Sequence, residues 1–226
     1  FRKFPDNRAY YVFVGLQDVL DFLQGHQFSD EDIGALRTFG LFDEGFLSFL
    51  PTLRFTGDVR AMAEGTPFFE NEPVLEVSGP IIECQLAETY LLNQVSLQSM
   101  LATKAARVVH AAQGKQVVDF AARRTHGTDA AHKLARASYI AGFDGTSNVL
   151  AAATYDIPAR GTMAHSFVSA FPAEIDAFRA YAKSFPDTST LLVDTYDTEE
   201  GVRNAIAVAR ELRDRGHSLR AVRLDS

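Results

Sequence analysis

The sequence predicts an α/β protein: an N-terminal α+β domain over residues 1–112 with a long connecting helix, then an incomplete β/α (TIM-like) barrel over 113–226. Three observations carry this. From Gly114 onward, short apolar segments, polar stops and amphipathic helices repeat at roughly 25 to 30 residues, the rhythm of βα units. Before that, residues 81–112 hold no Gly or Pro, which predicts one uninterrupted helix. The preceding residues mix short strands and helices without any repeating unit.

In chain order, residues 10–14 are aromatic and β-branched and predict a strand, while 16–23 carry apolar residues at helical spacing. Ser29 followed by Asp32 marks a capped helix running to about residue 39. Residues 54–62 and 74–77 predict strands on either side of a Gly65-Thr66-Pro67 turn, and Gly79-Pro80 opens the long helix. Along that helix Ile82, Leu86, Tyr90, Asn93, Leu97, Leu101 and Ala105 recur at three- or four-residue steps, the spacing of one face. The barrel strands are expected at 116–120, 140–143, 157–164, 190–193 and 219–224. Helices are expected over 129–139, from about 148, after Pro172 and over 199–215. In the third of these, Ile175, Phe178, Tyr181 and Phe185 mark one face and Pro186 the stop. In the fourth, Val202, Ala205, Ile206, Ala209 and Leu212 point inward and Gly216 follows the end.

Composition narrows the function. The 226 residues are 46% hydrophobic and 23% charged, with 22 Lys plus Arg against 29 Asp plus Glu, so the net charge is -7. That excludes disorder and gives no global basic excess for a nucleic acid or an anionic membrane. No apolar run nears the roughly 20 residues that span a bilayer. The single cysteine, Cys84, cannot form an intramolecular disulfide, so a cytoplasmic location is expected. The chain begins without methionine and stops just after a strand-like segment, so it is expected to be cut at both ends. Phosphate-loop, nucleophile-elbow, His-Glu-x-x-His and dinucleotide fingerprints are all missing.

In β/α barrels chemistry gathers just past the strands. Those positions hold Asp119, Phe120, Arg123 and Arg124; Asp144, Gly145, Thr146, Ser147 and Asn148; Gly161, Thr162, His165 and Ser166; Asp194, Tyr196 and Asp197; and Arg223, Asp225 and Ser226. Arginines, acids and one histidine are thus expected at one mouth, a set that suits a phosphorylated, metal-chelating substrate. Each piece also has a plainer reading. Gly145-Thr146-Ser147 can be a strand-to-helix turn with an N-cap, Arg123-Arg124 a solvated residue beside an ion pair, and Asp194 and Asp197 helix caps. A lone histidine is more often structural, but His165 alone among the six follows a strand and a Gly-Thr turn.

Four ordered motifs then resemble the nicotinate phosphoribosyltransferases, type II phosphoribosyltransferases: Asp119-Phe120-Ala121-Ala122-Arg123-Arg124, Gly142-Phe143-Asp144-Gly145-Thr146-Ser147-Asn148, Gly161-Thr162-Met163-Ala164-His165-Ser166-Phe167 and Val222-Arg223-Leu224-Asp225-Ser226. Gly15-Leu16-Gln17-Asp18-Val19-Leu20 is a weaker marker of the same family. The resemblance spans essentially the whole chain and implies an enzyme of the ATP-dependent ligase and glycosyltransferase class. Its substrates would be nicotinate, phosphoribosyl pyrophosphate and ATP with Mg2+, its products nicotinate mononucleotide and pyrophosphate, in NAD salvage. The resemblance implies no prosthetic group, no protein metal site, and a homodimer with a shared active site.

The resemblance makes His165 the transiently phosphorylated histidine and Asp225 a catalytic residue, Asp194 and Asp225 matching acidic positions that contact the ribose or its magnesium pyrophosphate. It places Phe120, Arg123, Ser147, Thr162, Ser166, Asp194 and Arg223 at the substrates. Ser147 stands where nicotinamide-using relatives place an aspartate, which favours the carboxylate substrate. Nicotinamide or quinolinate transfer, or a non-catalytic phosphoribosyl-binding relative, are the alternatives. The family's N-terminal segment and C-terminal half are not matched, so unpaired barrel edges and little turnover are expected of residues 1–226 alone.

Overall fold

The computed structural model describes residues 3–225; Phe1, Arg2 and Ser226, the last residue of the Arg223-Leu224-Asp225-Ser226 motif, lie outside the described residues. The chain divides into two compact units, 1–159 and 160–226, of mixed α/β structure.

The first unit begins with β1 (Tyr11–Val12), α1 (Leu16–Gly25), α2 (Asp30–Thr38) and α3 (Glu44–Phe49), followed by a 3-10 turn at Leu50–Thr52. Then come β2 (Asp58–Ala61), β3 (Pro67–Phe68), β4 (Leu75–Ser78) and α4 (Ile81–Ala112). The unit ends with β5 (Val118–Asp119), α5 (Thr128–Ile140), β6 (Gly145–Thr146) and α6 (Val149–Tyr155). β1 pairs with β3 and β2 with β4, both antiparallel, whereas β5 and β6 are parallel. The expected cap of α2 is a full capping box, Ser29 and Asp32 each accepting from the other's backbone N–H. α3, capped by Asp43, lies in a stretch for which no helix was expected.

α4 has the expected length but a different buried face. Ala87, Leu91, Gln94, Val95, Gln98, Ser99, Ala102, Thr103 and Ala105 are buried, whereas Ile82 and Leu86 are 46% and 43% exposed. The reason is a strand-to-helix contact that only small polar residues can make. The Val12 N–H donates to Thr103 Oγ1 at 2.9 Å and the Val14 N–H to Ser99 Oγ at 3.2 Å, so helix hydroxyls satisfy donors on the strand's free edge. Gly15, at φ 113°, completes the approach: a Cβ there would stand 2.9 Å from the Gln94 carbonyl oxygen.

Two ion pairs fasten α5 to this layer. Arg136 forks onto Glu64, donating from Nη1 at 3.0 Å and Nη2 at 2.6 Å, and Glu64 Oε1 also accepts the Gly15 and Leu16 N–H groups at 2.7 and 2.9 Å. Lys133 pairs with Asp18, whose other oxygen accepts from Gln98 Nε2 at 2.7 Å. The expected strand at 140–143 is corrected here. Ile140 ends α5 and packs with Val12 and Val14, a turn follows with Gly142 at φ 106°, and the strand is β6, two residues later. The apolar run marks a helix end, not a strand. Of the segment expected to be extended over 157–164, Ala159 forms one parallel bridge, to Thr146.

The second unit contains α7 (His165–Val168), α8 (Glu174–Ser184), β7 (Thr190–Leu192), α9 (Thr198–Asp214) and β8 (Ala221–Arg223). β7 and β8 pair in parallel, Leu191 opposite Val222. Met163, Val168, Phe178, Leu191, Leu192, Val193, Val208 and Leu212 form its core. Ile206, expected inward, is 48% exposed, and Phe185, expected on one face with Phe178, is the C-cap of α8 and 50% exposed. The inward row of α9 is Gly201, Ala205, Val208 and Leu212. A Cβ on Gly201 would collide with the Val193 carbonyl oxygen, so that helix sits tightly on the end of β7. Among the described residues no helix is long and apolar enough to cross a membrane.

Candidate functional site

Chemistry-bearing side chains gather in each unit separately. In the first, the end of β5 is organised by Asp119, which is 3% exposed. Its Oδ1 accepts the Ala121 N–H at 2.8 Å and its Oδ2 the Thr146 hydroxyl at 2.8 Å, while its carbonyl accepts the Ser147 N–H at 2.8 Å. This buried carboxylate therefore acts as a joint, setting the loop after β5 against the loop after β6. On those loops stand three expected site residues. Phe120 is 42% exposed, Arg123 is exposed on a 3-10 turn at Ala122–Arg124, and Ser147 is half-buried. The exposed Arg123 guanidinium, carried on that turn, is reachable by an anion. Asn148, not Ser147, caps α6, accepting from the Ala151 N–H at 3.1 Å.

In the second unit the strand ends are linked residue to residue. β8 delivers Arg223, whose Nη1 donates to the Thr162 hydroxyl and, at 3.4 Å, to the Met163 carbonyl; its Nη2 donates to Asp225 Oδ1 at 2.5 Å. The Asp225 N–H donates to Asp194 Oδ2 at 2.7 Å. His165 opens α7, with its Nε2 3.5 Å from Asp225 Oδ2 and 3.9 Å from Asp194 Oδ1. Its Nδ1 lies 3.1 Å from Thr195 Oγ1. The hydrogen bond from Arg223, and then that residue's charge, holds the Asp225 carboxyl below its ordinary range. The His165 side chain is 42% exposed while that of Asp194 is 6% exposed. A partly open imidazole thus stands on a screened acidic floor, able to take up and give back a group or a proton.

Thr162, His165, Asp194, Arg223 and Asp225 are thereby brought into one network. Ser166 is exposed and makes no side-chain hydrogen bond among the described residues. Asp197 caps α9, accepting from Glu200 N–H at 2.9 Å. Thr195 was not foreseen; a threonine between two singled-out neighbours carries no chemical signal until the ring beside it is seen. Among the described residues, no group of three or more His, Cys, Asp or Glu side chains is arranged to hold a metal ion.

Comparison with known proteins identifies the lineage. The nicotinate phosphoribosyltransferase N-terminal domain matches residues 1–96 and the nicotinate phosphoribosyltransferase family residues 115–226. A nicotinate phosphoribosyltransferase of Mycobacterium tuberculosis is 57% identical over 226 residues, all of this chain and 48% of that protein. One of Bacillus subtilis is 43% identical over 227 residues, again 100% of this chain and 46% of the relative. The crystal structure of human nicotinic acid phosphoribosyltransferase superposes with a TM-score of 0.92 at 33% identity, covering 100% of this chain and 55% of that one. The chain belongs to the nicotinate phosphoribosyltransferase family. It spans about half the length of the curated relatives it matches.

Proposed function

We propose that the protein carrying this chain is an ATP-coupled nicotinate phosphoribosyltransferase of NAD salvage, working in the cytoplasm as a homodimer, with residues 113–226 supplying the first five βα units of its β/α barrel. The supporting observation is the network in which His165 faces Asp194 and Asp225 while Arg223 ties Asp225 to Thr162. In the transfer step the pyridine nitrogen forms a bond to C1 of the ribose as the C1–O bond breaks, its electron pair leaving with pyrophosphate. That transition state concentrates positive charge on the sugar and negative charge on the leaving group. Fixed carboxylates and guanidiniums at those atoms lower the barrier. Asp194 and Asp225 would act on the ribose hydroxyls, and Mg2+ would enter as the complex of the polyphosphate substrates.

In the coupled step an imidazole nitrogen of His165 takes the γ-phosphoryl group of ATP as the bond to ADP breaks, and water later returns phosphate. Thr162, Ser166 and Arg223 would hold phosphate oxygens. Phe120 would lie against the pyridine ring and Arg123 would pair with its carboxylate, with the Ser147 hydroxyl beside it. Turnover of labelled nicotinate with phosphoribosyl pyrophosphate by the full gene product tests this, with nicotinamide and quinolinate as competitors. Nicotinate mononucleotide should form, with acid-labile phosphate on wild type and none on His165→Ala. Preference for either competitor, or no turnover at all, defeats the reading. Ser147→Asp should abolish nicotinate turnover by placing a negative charge beside the carboxylate, and residues 1–226 alone should turn over little.

A further inference from the structure

The two ring nitrogens of His165 meet different kinds of neighbour. Nε2 faces carboxylate oxygens of Asp225 and Asp194 at 3.5 and 3.9 Å, whereas Nδ1 lies 3.1 Å from the hydroxyl of Thr195. An ionised carboxylate only accepts a hydrogen bond; a hydroxyl donates or accepts. A neutral imidazole carries one N–H and one lone pair, so the neighbours decide between its two forms. With the proton on Nδ1, the Nε2 lone pair would point at two negative groups. With the proton on Nε2, that N–H faces the carboxylates and the Nδ1 lone pair accepts the Thr195 hydroxyl. Only the second arrangement makes every contact attractive.

We propose that Thr195 is a positioning residue for His165, its hydroxyl donating to Nδ1 and, with Asp194 and Asp225, holding the neutral ring as the Nε2–H form in a single orientation. The fold makes the hydroxyl a firm anchor. Thr195 follows Asp194 directly after β7, whose Leu191 and Leu192 are fully buried, and Asp197 caps α9 two residues later, so the backbone is fixed on both sides. A β-branched side chain adds stiffness at χ1. Across the ring, Asp225 keeps its charge through Arg223, so the Nε2 side stays acceptor-only. In the Nε2–H form the lone pair that attacks phosphorus is that of Nδ1, so the γ-phosphoryl group takes the place of the Thr195 hydroxyl there. The Nε2 proton passes to Asp225 as the N–P bond forms and the bond to ADP breaks. Without the hydroxyl to hold it, the ring rotates and exchanges forms, and in a fraction of molecules the lone pair faces the carboxylates instead.

The consequence for rate rests on the proposed phosphorylation of His165; the geometry does not. The full gene product, labelled with 15N at histidine and assigned by loss of one signal in His165→Gln, gives the form of the ring directly. Wild type should show a protonated Nε2 and a lone-pair Nδ1. Thr195→Val, which keeps the shape and removes the hydroxyl, should average the two nitrogens, and Thr195→Ser should restore the wild-type pattern. Single-turnover transfer of labelled phosphate from ATP to His165 should fall about 10- to 100-fold in Thr195→Val, the size of effect seen when the partner that orients a metal-ligating histidine is lost. It should recover to within about threefold in Thr195→Ser. A protonated Nδ1 in wild type, an unchanged ring in Thr195→Val, or no recovery with serine overturns the proposal. If no label reaches wild-type His165 while the ring signals behave as stated, the coupling to ATP is refuted and the role of Thr195 in holding the ring stands.

Discussion

Both units place carboxylates against cations, yet the two networks serve opposite ends. In the first, Glu64 is closed off: Arg136 and the N–H groups of Gly15 and Leu16 direct four hydrogen bonds at its two oxygens, and the pair's side chains are 17% and 16% exposed. In the second, Arg223 holds one oxygen of Asp225 at 2.5 Å, but that carboxylate is 35% exposed, its other oxygen stands 3.5 Å from the His165 ring, longer than a hydrogen bond, and the ring itself is 42% exposed. Satisfied, screened charge fixes the position of helices. Charge left partly open to water is available to a ligand. Residue type alone does not separate the two; closure does.

The sharpest way to break the comparison is to remove the cation from each. Arg136→Met leaves Glu64 screened and short of two donors, and should cost about 3 kcal/mol. Arg223→Met removes a cation from a carboxylate already in contact with water and should cost about 1 kcal/mol or less. Urea unfolding, with hydrogen exchange at α5 and β8 to show which unit loosens, measures both. Equal costs would mean that closure does not distinguish the two networks.

Acid should separate them next. Burial raises the Glu64 carboxyl, but the Arg136 pair and the two N–H groups outweigh it, so its folded value lies below the ordinary one. A group depressed in the folded state contributes stability that is complete above the unfolded value, about 4.3 for Glu, and is lost as the pH falls through the folded value. Unfolding midpoints should therefore drop below about pH 4 in wild type, and less steeply in Glu64→Gln, which is less stable at neutral pH but has lost that proton uptake. Asp225 is also depressed, but it sits in water, and Asp225→Asn should leave the acid limb nearly unchanged.

What the sequence revealed divides along the same line of local against distant cause. The Ser29–Asp32 cap and the reach of α4 depend on neighbours a few residues apart, and both were legible. The buried face of α4 was not. Its Ser99 and Thr103 are turned inward by a strand more than eighty residues earlier, and no helical periodicity carries that information. Glu64 drew no notice in a strand-and-turn region, because its partner Arg136 lies 72 residues away. The strand after α5 was misplaced because Ile140 and Phe143 are apolar, whereas the strand that forms, Gly145–Thr146, is held by the Asp119 carboxylate on the Thr146 hydroxyl. Short strands bounded by functional loops carry little alternation, so polar joints decide their register.

The smallest expected effect tests whether equal local structure has equal consequences in the two units. Ser29 and Asp197 are both N-caps, each accepting from the N–H three residues on, at 3.1 and 2.9 Å. Replacing either with Ala should cost about 1 kcal/mol, measured by unfolding, since the lost hydrogen bond is the same in kind. The chemistry should not respond equally. Asp197 holds the first turn of α9 two residues beyond Thr195, so fraying there loosens the hydroxyl against His165, whereas Ser29 caps α2 by its bonds with Asp32 in the other unit. Phosphate transfer to His165 should then fall severalfold in Asp197→Ala at a temperature where both variants remain folded. A matching fall in Ser29→Ala would show that the rate follows stability in general and not the anchoring of one loop.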